Sequence, residues 1–124
     1  MSTFLRSCFK YPQQKGAASA YKDSVWEQLA DLPVKQPTCE SICGRLLAIG
    51  GIMDSGKYST AVHMYNSTTN SWEIISHMIT GRRDCFTAVL PDNQLMVVGG
   101  VTDYDVDGLT DRVELTSYSV SNAN

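Results

Sequence analysis

Several stretches of this 124-residue sequence carry residue types that could do chemistry. Gly51-Ile-Met-Asp-Ser-Gly56-Lys57 nearly has the spacing of a phosphate-cradling loop, in which glycine amides and a lysine hold a nucleotide. The next residue is Tyr58, however, where a magnesium-binding hydroxyl would be Ser or Thr, and the residues after it alternate like a strand. No helix N-terminus is there to receive phosphate, so this stretch reads as an exposed loop between strands. Asp103-x-Asp105-x-Asp107-Gly108-x5-Glu114 matches the calcium-loop pattern, whose alternating carboxylates converge on one hard cation. Strands rather than helices flank it and Glu114 falls on a strand. A solvated acidic loop is the favoured reading, with calcium binding as the alternative. Cys39-x3-Cys43 offers two metal ligands without a second pair, and both read as ordinary strand thiols. His63 lies on an alternating strand and His77 near a loop, and neither has a nucleophile beside it. With no Ser-His-Asp, Cys-His or paired-carboxylate set to assemble, we expect no catalytic residue, no metal and no cofactor.

These residues belong to a soluble-type composition: 43% hydrophobic, 19% charged, net charge −3. So mild an acidic balance leaves no electrostatic footprint for nucleic acid or an anionic membrane. No apolar run approaches the roughly 20 residues of a spanning helix. The N-terminal stretch lacks the long apolar core of a secretory signal, so four cysteines are expected to stay reduced in a cytoplasmic setting. Asn66-Ser67-Thr68, a glycosylation sequon, then reads as part of a turn.

The elements that must position them are strands. Leu46-Leu47-Ala48-Ile49 lead into Gly50-Gly51; a polar loop comes next, then Ala61–Tyr65 in alternation, then NSTTNS and Trp72. A continuous apolar run reads as a buried strand, and alternation as a half-buried one. The pattern recurs: Leu95-Met96-Val97-Val98 lead into Gly99-Gly100, 49 residues after Gly50-Gly51. Trp26 and Trp72, each followed by Glu and closing a strand, are 46 apart. A period near 50 with strands throughout marks a propeller-type array.

Gly-Gly after four hydrophobics, then Tyr65, six residues and Trp72, resembles a kelch repeat over residues 25–118. The resemblance implies an all-β fold, a partial kelch-type β-propeller of four-stranded antiparallel blades in an incomplete ring. At about 50 residues a blade, the chain holds roughly two and a half, short of the 4–8 that close a ring. We therefore expect a piece of a longer propeller or an assembly of copies. Residues 1–24 read as a leader or the remnant of an earlier blade. Residues 25–37 hold that blade's outer strand and linker, with Trp26 packed between blades. A complete repeat with its linker occupies 38–84, and an incomplete one 85–124, where Thr116 replaces the tyrosine of the pattern and no tryptophan comes after it. Gly50, Gly51, Tyr65, Trp72, Gly99, Gly100 and Trp26 are the structural landmarks.

Kelch propellers are recognition modules, so the resemblance implies a protein partner bound by inter-strand loops. The binding candidates are Arg82, Arg83, Asp84, Lys57, Tyr58 and Tyr104. In kelch proteins the arginine ending the Met78-Ile-Thr-Gly-Arg82 linker often faces the open mouth of the propeller; aligned by tryptophan spacing, Gln36 takes its place in the preceding linker. Substrate recognition for a cullin-type ubiquitin ligase is the specific function implied, and copies could associate to complete the ring. The alternatives are a kelch-propeller enzyme of oxidase or epimerase type, or an actin-binding or structural kelch protein.

Overall fold

Turn chemistry sets the strand register. Cys43 and Gly44 both have positive φ (50° and 74°), which two-residue hairpins need to match the natural twist of paired strands. They join β3 (Thr38–Ile42) to β4 (Arg45–Ile49), with Ile42 opposite Arg45. In the next repeat Pro91-Asp92-Asn93 does the same between β7 (Phe86–Leu90) and β8 (Gln94–Val98), with Asp92 and Asn93 at positive φ. The computed structural model describes residues 8–10, 25–103 and 108–117.

Three antiparallel sheets result among the described residues. β1 (Cys8–Lys10) pairs with β2 (Glu27–Leu29). β3, β4, β5 (Ala61–Asn66) and β6 (Ser71–His77) form a four-stranded meander. β7, β8 and β9 (Val113–Ser117) form a three-stranded one. The described sheets do not close into a ring. β4 and β8 hold the two apolar runs that lead into glycine pairs, and β5 holds the Ala61–Tyr65 alternation and extends it to Asn66.

Register assigns the faces, because residues directly opposite in a sheet share a side. On one face of the four-stranded sheet, Leu47, Ile49 and Val62 pack with Met78, Cys85, Leu95 and Val97 in a single core. That core joins the two large sheets face to face, as successive propeller blades pack. Cross-blade hydrogen bonds line its inner edge: Thr38 Oγ1–H to the Cys85 carbonyl (3.0 Å) and Thr87 Oγ1–H to Glu40 Oε1 (2.7 Å). On the opposite face, Ala48 and Trp72 pack with Leu32 and Val34 of the linker that precedes the sheet.

Tyr65 and Trp72 hold that linker. Their rings are 5.2 Å apart, the Trp72 Nε1–H donates to the Ala30 carbonyl (2.8 Å), and Asn70 Oδ1 accepts from the Tyr65 hydroxyl and the Ala30 N–H. Trp26 does not repeat this arrangement. It lies just before β2 and is 64% exposed, against the expectation of packing between blades.

Candidate functional site

At one end of the sheets, loop and linker backbones form small ladders. Lys35 bridges to Ile52 and Ile52 to Tyr58; one repeat later Arg83 bridges to Val101 and Val101 to Leu109. Lys35 therefore corresponds to Arg83, Gln36 to Asp84, and Val34 to Arg82. The second glycine of each pair confirms it: a Cβ on Gly51 would sit 2.6 Å from the Lys35 carbonyl oxygen, and one on Gly100 would sit 2.6 Å from that of Arg83. Only glycine admits so close a backbone approach.

This alignment corrects the tryptophan-based one. The counterpart of Arg82 is Val34, not Gln36, because the linker keeps step with the glycines rather than with the outer strand. Arg82 itself does not face the mouth of the ring. It is fully buried. Its Nη1 donates to the carbonyls of Gly99 (2.8 Å) and Arg112 (2.9 Å), and its Nη2 to Glu114 Oε2 (2.8 Å). Glu114 also accepts the Ile79 N–H (2.5 Å) and the Thr80 N–H (3.1 Å). Burial works against the Glu114 carboxylate, but the hydrogen bonds from Arg82, Ile79 and Thr80 outweigh it and hold its pKa below the usual value. Arg82 is thus a clasp between blades, and a partner cannot reach it.

The same geometry bears on two patterns of the sequence. Glu114, the last carboxylate of the calcium-loop pattern, is committed to Arg82, and Asp103 Oδ2 accepts the Tyr58 N–H (3.0 Å). Asp105 and Asp107 lie outside the described residues. Among those described, no three metal-ligating side chains gather. In the phosphate-loop pattern, the Gly51 N–H donates to the Arg82 carbonyl and the Gly56 N–H to the Met53 carbonyl. These two amides are occupied within the protein rather than aimed at an anion.

What the fold does bring together is Lys57, Tyr58, Arg83, Asp84 and Asp103. The 53–57 turn, closed by Met53 N–H to Lys57 O (2.8 Å), presents Lys57 and Tyr58. The Arg83 guanidinium lies over the Tyr58 ring, 5.4 Å from its centroid, and pairs with Asp84. Hydrogen bonding with Tyr58, and beyond it the Asp84 charge, raise the Arg83 pKa further above its ordinary value. Asp84 sits at φ 55°, which turns the chain from linker into β7. The result is a mixed-charge, aromatic patch drawn from three segments. Tyr104 lies outside the described residues.

A pocket of about 470 Å³ opens beneath this patch. Lys57, Tyr58 and Asp103 stand among its lining with Pro33 and Val34 of the linker, and so do His63 and His77. His63 is 3% exposed and its Nδ1 has no hydrogen-bond partner. Burial first, and the neighbouring His77 second, lower its pKa. His77 Nδ1 lies 3.0 Å from Thr60 Oγ1. Sequence reasoning misses the depth of His63, since alternation along β5 marks a face without saying what covers it.

Face-to-face antiparallel meanders, joined by linkers that pair with the inter-strand loops of their neighbours, define a run of β-propeller blades. Residues 33–79 match the model of the Kelch motif, and the described sheets have the form of a partial kelch-type β-propeller. Among solved structures it is similar to one titled "Structure of YjhT". The two are 36% identical with a TM-score of 0.56, over 65% of this chain and 25% of that one. The chain thus spans about a quarter of that chain's length. No curated protein matches it. No helix among the described residues is long and apolar enough to cross a membrane.

Proposed function

We propose that this protein is a binding module rather than an enzyme, and that the Lys57–Tyr58–Arg83–Asp84–Asp103 patch contacts a protein or peptide partner. The observation that carries the reading is the stacking of Arg83 on Tyr58, fixed from below by backbone ladders in two consecutive blades. An arginine and a tyrosine held in place by a rigid scaffold lose little entropy on contact, and these residue types dominate binding hot spots. The partner is a protein rather than nucleic acid or membrane, in keeping with the mild negative charge. The finer form of the proposal is substrate recognition for a cullin-type ubiquitin ligase in the cytoplasm, supported by the habit of kelch propellers to serve as adaptors.

Peptide-library selection against the 124-residue chain tests the patch, with affinity then measured for Tyr58→Ala and Arg83→Ala. A hot-spot residue costs about 2 kcal/mol or more on truncation, roughly a thirtyfold loss. Selected peptides that bind both variants as well as the parent would count against this surface. For the ligase form, co-precipitation of a cullin with the full-length protein, abolished by patch variants only for the substrate and not for the cullin, is the expected pattern.

A further inference from the structure

The repeat supplies an internal comparison. In the register of β4 with β5, Ala48 faces His63; in that of β8 with β9, Val97 faces Glu114. His63 therefore occupies the strand position of Glu114, and Val34 occupies the linker position of Arg82. One junction between linker and blade closes with an ion pair. The other closes with a buried valine and a buried imidazole whose Nδ1 is unpartnered. We propose that the second junction is a proton-operated latch: protonation of His63 releases the 30–36 linker from the four-stranded blade, while the Arg82–Glu114 junction stays shut.

The surroundings support this. The linker lines the pocket beside His63 with Pro33 and Val34, whose apolar side chains cannot solvate a cation. The loop over the pocket supplies Lys57, which opposes a second positive charge, with Tyr58 and Asp103. Asp103 already accepts the Tyr58 N–H. From β6 comes His77, a like charge when protonated, and from the paired strands Ala48 and Ile74; the Cys39 thiol lies one strand beyond on the same face. An imidazolium at His63 thus gains no established counter-ion and loses its water. Releasing the linker returns it to solvent.

Linkage sets the sign. His63 binds its proton less readily docked than released, so the docked state is fully favoured above the ordinary histidine value of 6.5 and weakens as pH falls below it. For one proton, the released fraction rises by up to about tenfold per pH unit until the depressed docked value is passed. Glu114 has the opposite character. Its pKa is lowered by its donors, so its junction keeps its stability down to the ordinary carboxylate value of 4.5 and loses it only below that, as pH falls through the depressed value. Between about pH 6.5 and 4.5, only one of two equivalent junctions should respond.

Amide hydrogen exchange of the whole chain tests this, with protection factors corrected for intrinsic pH dependence. The Lys35 and Ile52 amides donate to each other's carbonyls (2.9 and 2.8 Å), and the Arg83 and Val101 amides do so one repeat later (3.0 and 2.9 Å). From about pH 7.5 to 5, protection of Lys35 and Ile52 should fall by up to about tenfold per unit below about 6.5, while that of Arg83 and Val101 holds. His63→Phe should flatten the first profile, with His63→Gln as the second variant should phenylalanine disturb the sheet; His77→Asn should leave the fall in place. Parallel profiles at both junctions, or an unchanged fall in both His63 variants, would overturn the latch. Neither outcome bears on binding at the Tyr58–Arg83 patch, which is scored separately at constant pH.

Discussion

Removing Arg82 should damage this protein more than any binding-site mutation would. The side chain is wholly buried and Glu114 retains 13% side-chain exposure, so truncating the arginine leaves a nearly buried carboxylate with two backbone N–H donors and no cation. Two carbonyls, of Gly99 and Arg112, lose their donor at the same time. Breaking a buried pair from one side costs about 3–5 kcal/mol. Against a total stability of about 5–15 kcal/mol that is a large share, and for a chain of this size it corresponds to a drop in Tm of roughly 12–20 °C. The double variant Arg82→Val/Glu114→His rebuilds the clasp in the image of Val34 and His63. It should recover about half or more of the loss, because no charge is then stranded, and the coupling should be about 1–3 kcal/mol. Urea denaturation monitored by circular dichroism measures both. A single Arg82→Ala cost under about 1 kcal/mol, or strict additivity in the double variant, would show that the clasp carries no such energy.

Two further outcomes are expected. Gly50→Ala and Gly81→Ala place a Cβ 2.3 Å from the Arg82 carbonyl oxygen and 2.2 Å from the Tyr58 carbonyl oxygen respectively, so each should lower stability by about 2 kcal/mol or more; Gly44→Ala, at φ 74° but with open space around it, should cost only the backbone strain of about 1–2 kcal/mol. Thermal melts of the three variants would rank them, and a Gly44 variant as damaged as the other two would count against the close-approach argument. We also propose that copies of the chain associate through the outer face of the three-stranded sheet. Phe86, Val113 and Leu115 are 76%, 55% and 54% exposed there, on the face equivalent to the one that Leu47 and Ile49 bury in the preceding blade. Light scattering after size exclusion should show species larger than the monomer, reduced by Val113→Lys/Leu115→Lys. A monodisperse monomer at high concentration speaks against association.

Much of the fold is legible in the sequence because propeller blades are built from local rules. A Cys43-Gly44 turn, a run of apolar residues ended by two glycines, and an alternating strand each betray themselves within about ten residues. Tyr65 and Trp72 are recognisable for the same reason, and their grip on Ala30 explains why the pattern needs both. Arg82 misleads because its role depends on a residue 32 positions away. An arginine at the end of a linker looks the same in sequence whether it points to solvent or into the next blade. Trp26 misleads in the opposite sense: its local pattern matches that of Trp72, yet it stands 64% exposed, because a matching Trp-Glu pair does not fix what lies against the ring.

The two junctions show why repetition alone does not make blades interchangeable. Their backbones agree to the level of matched bridges, matched positive-φ residues at Gln36 and Asp84, and matched glycine contacts. What differs is the pair of side chains sealed between linker and third strand: Val34 with His63 in one, Arg82 with Glu114 in the other. A linker ending in arginine docked over His63 would bury a cation with no carboxylate, and one ending in valine docked over Glu114 would strand a carboxylate. Each mispairing carries the several-kcal/mol penalty of an uncompensated buried charge. The seal therefore sets which linker closes on which blade, and it does so with the same residues that set how each junction answers to pH.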